Sequence, residues 1–237
     1  MPSRRTRSIV VSCEHGGRGV PGAYAELFAG RGDLLESHRG WDPGSLRLGR
    51  QMALALDAPF HASTTTRLLV DLNRSIGHPH LFSEVTGVLP RAARDHIVAA
   101  HYRPHRDRIE GEITRRIADG SPVIHIASHS FTPVLAGVVR RADVAWLYDP
   151  RRGRESAFAQ RWMVQLAARA PELQLRRNYP YQGRGDGLTA LLRKRFDDAE
   201  YLGIELEVNQ RFVAQGGAVW AALRRDLVAS LGAVLAA

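Results

Sequence analysis

Three polar clusters in this sequence could do chemistry, and each follows a segment with the pattern of a buried strand. They are residues 14–17 (Glu-His-Gly-Gly), residues 71–74 (Asp-Leu-Asn-Arg) and residues 128–130 (Ser-His-Ser). Two histidines from separate strands and one carboxylate suit a catalytic metal ion, which takes three protein ligands and leaves a position for water. The spacing alone is not specific, because some of the 10 histidines fall near strand ends by chance. A hydrogen-bonded structural role therefore stays open for each histidine.

Strands and helices that alternate along the chain must position these clusters. Short β-branched or apolar runs predict strands or extended chain at residues 8–12, 60–66, 67–72, 123–127, 144–148 and 202–208. Helical spacing predicts a helix with Asp42 as its N-cap and further helices at residues 156–170 and 218–236. Residues 90–118 are predicted to form either one helix or two helices separated by a break near Pro104. This alternation predicts an α/β fold, a three-layer sandwich whose central mixed, largely parallel sheet is covered on both faces.

Length and composition limit the classes of protein to which the chain can belong. With 237 residues, 44% apolar composition and no linker-like segment, the chain is predicted to form one domain over residues 1–237. Cys13 is the single cysteine, so no intramolecular disulfide can form, and a reducing, cytoplasmic location is expected. No stretch approaches the roughly 20 apolar residues that a membrane span requires. We therefore expect no membrane partner.

The formal charge of +9 raises the alternative of a non-enzymatic protein that binds nucleic acid or another polyanion. The arginines that carry this charge are spread along the chain with acidic residues between them, and no nucleic-acid-binding motif accompanies them. We expect no nucleic-acid partner. Attraction of an anionic small-molecule substrate is a further role for the charge.

Taken together, the polar segments resemble the N-formylglutamate amidohydrolase family, a branch of the zinc carboxypeptidase and aspartoacylase-like fold. The resemblance rests on residues 14–16 (Glu-His-Gly), 66–74 (Thr-Arg-Leu-Leu-Val-Asp-Leu-Asn-Arg), 129–130 (His-Ser), 178–181 (Asn-Tyr-Pro-Tyr) and 206–209 (Leu-Glu-Val-Asn). It implies a phosphorylase/hydrolase-like, zinc-peptidase-like sheet. It also implies a metal-dependent hydrolase that cleaves the amide bond of a small N-acyl acidic amino acid, such as N-formylglutamate, and whose substrate therefore bears a carboxylate.

The resemblance also implies a zinc site. His15 and His129 match the family's two histidine ligands, and Asp42 matches an acidic residue that the family places beside a tryptophan. Peptidases of this fold carry a glutamate three residues after the first histidine, but that position here is Arg18. Glu14 is the fallback ligand. A helix cap is an equally good reading of Asp42, because aspartate is favoured at that position.

The same resemblance implies substrate-binding roles for Arg67, Asn73 and Arg74. Asn73 and Arg74 resemble the pair that grips a substrate α-carboxylate in aspartoacylase-like enzymes, and a planar guanidinium suits that contact. Arg67 would polarise the scissile carbonyl or stabilise its oxyanion. The structural alternative for either arginine is a salt bridge to Asp71 or another nearby acid.

Glu207 matches the position of the family's general base, where a partly buried carboxylate could take a proton from water and return it to the leaving amine. Glu205 shares its face of the strand by period-two alternation, so spacing alone allows either residue. A structural ion pair with arginine is the alternative for both.

Two further features bear on metal affinity and on substrate choice. Relatives commonly carry an acid two residues before the second histidine, and here that residue is Ala127. Either His125 or Ser128 substitutes for that acid, or metal affinity and preferred substrate differ from those of the family's namesake. The loop at residues 178–187 matches a family loop near the site, and it offers Tyr181, Arg184 and Asp186 as specificity contacts. An ordinary surface loop is equally consistent with its glycines.

Two rival functions accompany the polyanion-binding alternative. The first is a hydrolase of the same fold that acts on another N-acyl amino acid or a small peptide, because fold resemblance does not determine the substrate. The second is a metal-free relative that binds a carboxylate ligand without turnover, an alternative raised by Ala127.

Overall fold

The structure is a computed structural model and describes residues 8–236. The strands are β1 (Ser8–Cys13), β2 (Phe60–Ala62), β3 (Val123–Phe131), β4 (Val134–Leu135), β5 (Val138–Val139), β6 (Val144–Leu147), β7 (Leu175–Arg177) and β8 (Tyr201–Asn209). The α-helices are α1 (Gly32–Glu36), α2 (Ser45–Ala55), α3 (Arg91–Ile97), α4 (Arg103–Ala118), α5 (Gly153–Arg169), α6 (Leu188–Arg195), α7 (Arg211–Gln215) and α8 (Gly217–Ala236). A 3-10 helix spans Gly22–Phe28, and a π-helical turn spans Val98–Tyr102.

Six of the strands form one sheet in the order β2-β1-β3-β8-β6-β7. Strand β1 is parallel to β2 and β3, β3 is parallel to β8, and β6 is antiparallel to β8 and parallel to β7. Strands β4 and β5 form a separate antiparallel hairpin. The mixed, mostly parallel sheet that the sequence predicts is confirmed.

Helices cover both faces of the sheet, as predicted. One face packs against α2, α5 and α8 through a cluster that includes Val11, Leu48, Phe158, Leu206 and Leu227. The other face packs against α4 and α6 through Val10, Ile109, Ile113, Leu188 and Leu192. Because side chains alternate along a strand, His129 on β3 and Glu207 on β8 face the α4 and α6 side, opposite to Leu206.

The prediction that Asp42 caps a helix is wrong. Helix α2 begins at Ser45, and its N-cap is Gly44 in a left-handed conformation with a φ of 83°. The backbone carbonyl of Asp42 accepts hydrogen bonds from the backbone N–H and the hydroxyl of Ser45. The carboxylate of Asp42 is therefore free of the helix and contacts histidines instead.

The prediction of extended chain over residues 67–72 is also wrong, because this segment forms consecutive turns. Its apolar side chains, among them Leu69 and Val70, pack outside the sheet. Their partners in this cluster include Leu81, Ile97 and Tyr102. A short buried apolar run has the same sequence pattern in a turn as in a strand, so periodicity could not separate the two. The extended chain predicted at residues 60–66 is a strand only over Phe60–Ala62.

The long helical pattern at residues 90–118 is present, with α3 and α4 joined by the π-helical turn Val98–Tyr102. Pro104 lies in the first turn of α4. A proline has no backbone N–H and its ring crowds the preceding turn, which the wider π turn relieves. Helix α6 and strand β7 were not predicted. Within residues 8–236, no helix is both long and apolar enough to cross a membrane.

Candidate active site

A cavity of about 340 Å³ lies at the carboxyl ends of β1, β3 and β8, where α/β sheets of this kind place their sites. It brings together most of the predicted site residues, namely His15, Asp42, Arg67, Asn73, Arg74, His129, Tyr181, Asp186 and Glu207. Glu205 also lines this cavity. Arg184 does not.

Two histidines and one aspartate form a compact buried cluster in this cavity. The Asp42 Oδ2 atom lies 3.3 Å from His15 Nδ1 and 2.9 Å from His129 Nδ1. One ligand atom from each residue lies within 4.8 Å of the others. The backbone N–H of Asp42 also donates to the carbonyl of His15, which holds the aspartate at the end of β1.

A second carboxylate lies behind each histidine ring. His15 Nε2 lies 2.7 Å from Asp71 Oδ1, and His129 Nε2 lies 3.0 Å from Glu14 Oε2. Carboxylates on the outer nitrogen of a metal-binding imidazole fix the ring and its tautomer. Glu14, the fallback ligand, thus lies on the side of His129 remote from Asp42. The outer nitrogen of His15 is hydrogen-bonded to Asp71, whereas that of His129 is at ion-pair distance from Glu14 without a hydrogen bond. Both Nδ1 atoms face Asp42.

The charges of this cluster fit a divalent cation. Burial tends to raise the pKa of Asp71, but Arg67 and His15 hold it well below its usual value. Burial likewise opposes ionisation of Asp42, whose pKa is nevertheless lowered, first by His15. Both carboxylates are therefore ionised at neutral pH. Two imidazoles and a carboxylate are the donors that a catalytic metal site uses, so these residues fit a metal ion.

Glu207 lies beside this cluster with an unpaired carboxylate oxygen. It is directly opposite His129 in the register of β3 and β8, and it is 5% exposed. Its Oε2 atom has no hydrogen-bond partner among residues 8–236. Burial raises the pKa of Glu207 to about 8, with Asp42 adding to the effect and His129 opposing it. A carboxyl with this pKa can both take up and release a proton near neutral pH.

Glu205 occupies a different environment although it shares the same face of β8. It is opposite Ala127 in the strand register, two pairs away from the His129–Glu207 pair. Its Oε1 atom accepts a hydrogen bond of 2.6 Å from the Thr189 hydroxyl on α6. Glu207 is therefore the better placed of the two carboxylates for proton transfer at the cluster.

Arg67 makes the salt bridge that the structural alternative anticipated. Its Nη2 and Nε atoms donate to Asp71 Oδ2 at 2.6 and 3.2 Å, and its Nη1 atom lies 3.4 Å from Asp42 Oδ1. The side chain is still 24% exposed and lines the cavity. The two carboxylates thus hold the guanidinium beside the cluster, where it can also contact a ligand.

Asn73 and Arg74 line the same cavity. The Asn73 side-chain oxygen accepts the backbone N–H of Leu188 at 2.8 Å, so it fixes the start of α6. The Arg74 carbonyl accepts a hydrogen bond from the Tyr102 hydroxyl at 2.7 Å, which anchors the backbone of this arginine. The segment that carries both residues is therefore tied to α6 and to the π-helical turn.

The loop at residues 178–187 contributes unequally to the cavity. Tyr181 lines it. Asp186 also lines it, but its carboxylate accepts hydrogen bonds from the backbone N–H and the hydroxyl of Ser75, next to Arg74. The chain turns at buried Gly183, and Arg184 beyond it lines a separate depression. The expectation that Arg184 contacts a substrate in this cavity is thus not supported by its position.

Sequence reasoning missed the placement of Asp71 and Glu14 behind the two histidines. Both residues belong to the polar clusters from which the argument began, but the sequence holds no signal for which ring nitrogen each one contacts. His38 and Gln210 also line the cavity and were not predicted, whereas Ser130, which lines it too, belongs to the predicted cluster at residues 128–130.

The sheet and its buried His–Asp–His cluster define the class of the molecule, an α/β enzyme with a candidate metal centre at the carboxyl ends of its strands. The sequence profile of the N-formylglutamate amidohydrolase family matches residues 7–214. The chain belongs to this family, and it is therefore an amidohydrolase. This membership argues against the non-enzymatic, polyanion-binding alternative.

Solved structures share the fold. The chain superimposes on gene product Atu2144 from Agrobacterium tumefaciens with a TM-score of 0.80 and 28% identity, over 98% of this chain and 92% of that one. It superimposes on N-formylglutamate amidohydrolase from Ralstonia eutropha JMP134 with a TM-score of 0.66 and 15% identity, over 99% of this chain and 95% of that one. No curated protein sequence matches the chain significantly.

Proposed function

We propose that this chain is a zinc-dependent hydrolase that cleaves the amide bond of N-formylglutamate and releases formate and glutamate. The observation that carries this proposal is the buried cluster of His15, Asp42 and His129 beside the unpaired carboxylate of Glu207, in a chain of this family. The lone cysteine, Cys13, is buried and supports a reducing, cytoplasmic location for the enzyme.

The three residues of the cluster would hold the zinc ion through both Nδ1 atoms and the Asp42 carboxylate. A bound zinc ion supplies a Lewis acid that polarises a carbonyl group and makes water more acidic. Asp71 and Glu14 orient the two imidazoles, because each contacts the nitrogen on the far side of a ring.

Glu207 carries the proton in the proposed reaction. Its carboxylate accepts a proton from the attacking water, and the same group then delivers that proton to the amide nitrogen as the C–N bond breaks. Formate leaves with the water oxygen, and glutamate leaves as the free amine. The buried position of Glu207 beside the cluster supports this role. Its raised pKa suits delivery of the proton, and a cation held by the cluster would lower that pKa and so favour the carboxylate that accepts the proton from water.

Cationic and polar side chains position the substrate. Arg67 stabilises the developing oxyanion, and its contacts with Asp71 and Asp42 pre-organise it for that purpose. Arg74 and Asn73 bind the α-carboxylate, and Tyr181 contacts the remainder of the substrate. Asp186 acts through Ser75, which it anchors next to Arg74.

A hydrolase of the same fold with another substrate is the competing function, and a panel of substrates separates the two. The zinc-reconstituted protein would be assayed for amine release from N-formylglutamate, N-acetylglutamate, N-formylmethionine and a glutamyl dipeptide. We expect the highest kcat/KM for N-formylglutamate. A higher value for another compound would replace the proposed substrate, and absence of hydrolysis together with absence of zinc binding would support the metal-free relative.

Glu14 offers a test of how the zinc site is supported. Substituting Glu14→Gln removes the negative charge 3.0 Å from His129 Nε2 and should weaken zinc binding by about 10-fold. Zinc affinity would be measured by competition with a chromophoric chelator. Glu26→Gln, at an exposed glutamate, is the control and should leave the affinity at its original value. Equal affinities for the two variants would contradict a supporting role for Glu14.

A further inference from the structure

Arg140 is a nearly buried cation without an acidic partner. It follows the β4–β5 hairpin and is 9% exposed. In the described part of the chain, residues 8–236, no carboxylate lies within the 4.0 Å salt-bridge distance of its guanidinium. Buried Arg106 differs, since it pairs with Glu110. Buried Arg224 also has no acidic partner, but its Nη1 atom donates to the Gln51 side-chain oxygen at 2.7 Å, whereas Arg140 Nη1 donates to the Tyr181 hydroxyl at the cavity wall. A buried charge without a counter-charge is costly, so a position that keeps one points to an anionic ligand.

Two hydrogen bonds fix the backbone of Arg140. The Arg140 N–H donates to the carbonyl of Pro133 at 2.8 Å. The Arg140 carbonyl accepts a hydrogen bond of 3.0 Å from the side chain of Asn209, the last residue of β8. This strand also carries Glu207, and the arginine is therefore anchored to the strand that bears the proposed base.

The guanidinium of Arg140 lies against Tyr181, a residue of the cavity wall. Arg140 Nη1 donates to the Tyr181 hydroxyl at 3.3 Å, and its Cζ atom lies 5.3 Å from the centre of the tyrosine ring. Since the phenol oxygen accepts this hydrogen bond, its own O–H remains available to donate to a ligand. Tyr181 is 47% exposed, which leaves it open to solvent and substrate.

The electrostatic surroundings at this end of the cavity are positive. His38 lines the same cavity. Burial lowers the pKa of His38, and Arg140, Arg39 and Arg67 lower it further, while Asp42 opposes them. Burial disfavours either sign of charge, but the contributions of the three arginines place positive charge near His38, which attracts an anion.

We propose that Arg140 and Tyr181 form the subsite for the side-chain carboxylate of the substrate, and thereby select an acidic amino acid. This proposal rests on the proposed function, in which Asn73 and Arg74 hold the α-carboxylate. Tyr181, which lines the cavity, contacts the carboxylate through its hydroxyl. Arg140 lies behind Tyr181 rather than in the cavity wall, and it supplies the positive charge and orients the phenol. The subsite distinguishes glutamate from its neutral analogue glutamine, because only the carboxylate compensates the buried charge.

Paired substrates test this assignment. The values of kcat/KM for N-formylglutamate and N-formylglutamine would be compared in the zinc-loaded wild type, Arg140→Met, Arg140→Lys and the control Arg141→Met, which alters an exposed neighbour. We expect Arg140→Met to lower the glutamate value about 100-fold and to change the glutamine value by less than about 3-fold. Arg140→Lys, which keeps the charge, should retain part of the preference, and Arg141→Met should retain all of it. A parallel fall for both substrates in Arg140→Met, or an unchanged preference, would overturn the assignment.

A binding measurement separates the failure of this subsite from the failure of the proposed function. Glutarate carries two carboxylates and butyrate carries one, so their binding to wild type, Arg140→Met and Arg140→Lys can be compared by calorimetry without turnover. The proposed subsite predicts that Arg140→Met loses the preference for glutarate, whereas Arg140→Lys keeps part of it. If N-formylglutamate is not hydrolysed but this pattern holds, the reaction is wrong and the anion subsite stands. Unchanged glutarate binding in Arg140→Met removes the subsite even if hydrolysis is confirmed.

Discussion

Glu207→Gln should lower kcat for N-formylglutamate by about 10³-fold while the protein keeps its zinc. A glutamine side chain has nearly the same shape as glutamate, but it cannot accept and return a proton, and general acid–base catalysis contributes about 10²- to 10⁴-fold. The residue is not one of the three clustered donors, so zinc content should not change. Initial rates of amine release and elemental analysis of the same samples give both quantities.

Glu205→Gln is the matched control for this prediction. Both glutamates lie on the same face of β8 and line the same cavity, but Glu205 is bonded to Thr189 and lies opposite Ala127 rather than His129. We expect kcat to fall by less than about 10-fold in this variant, which still disturbs a hydrogen bond at the cavity wall. A larger loss for Glu205→Gln than for Glu207→Gln would exchange the two roles. Loss of zinc from Glu207→Gln would show that its effect on rate is indirect.

The sheet could be predicted because its strands have a direct signal in the sequence. Strands β1, β3 and β8 are short apolar runs, and the polar residues at their carboxyl ends meet at one edge of a parallel sheet. Period-two alternation also placed Glu205 and Glu207 on one face. What alternation could not decide was which glutamate lies opposite His129, because that depends on the register between β3 and β8.

Residues 67–72 show where local pattern stops being informative. Their apolar side chains are buried, as a strand would require, but they are buried against Ile97 and Tyr102 rather than within the sheet. Asp71 donates its N–H to the carbonyl of Leu81 within this turn-rich segment. The tertiary partners of a buried run decide its conformation, and those partners are distant in the sequence.

Glu14 shows the same limit at the candidate site. The absence of an acid at position 127 raised the question of what supports the second histidine. Strands β1 and β3 pair in parallel with Ser12 opposite Ala127, so two residues further along the chain Glu14 comes beside His129. A carboxylate just beyond the end of the neighbouring strand thus lies where it can support the ring, and only the pairing of the strands reveals it.

His129→Ala should remove zinc from the protein and abolish hydrolysis. The substitution deletes one of the three clustered donors. Loss of a residue that only supports a metal ligand lowers metal affinity by up to about 100-fold, so loss of a ligand itself should lower zinc affinity by more than that. Elemental analysis after dialysis against zinc-free buffer measures the bound metal, and circular dichroism verifies that the variant is folded. His38→Ala is the matched control, because His38 lines the same cavity but is not one of the three donors, so this variant should keep its zinc. Retention of zinc by folded His129→Ala would eliminate His129 as a ligand, and loss of zinc from folded His38→Ala would contradict the donor set of His15, Asp42 and His129.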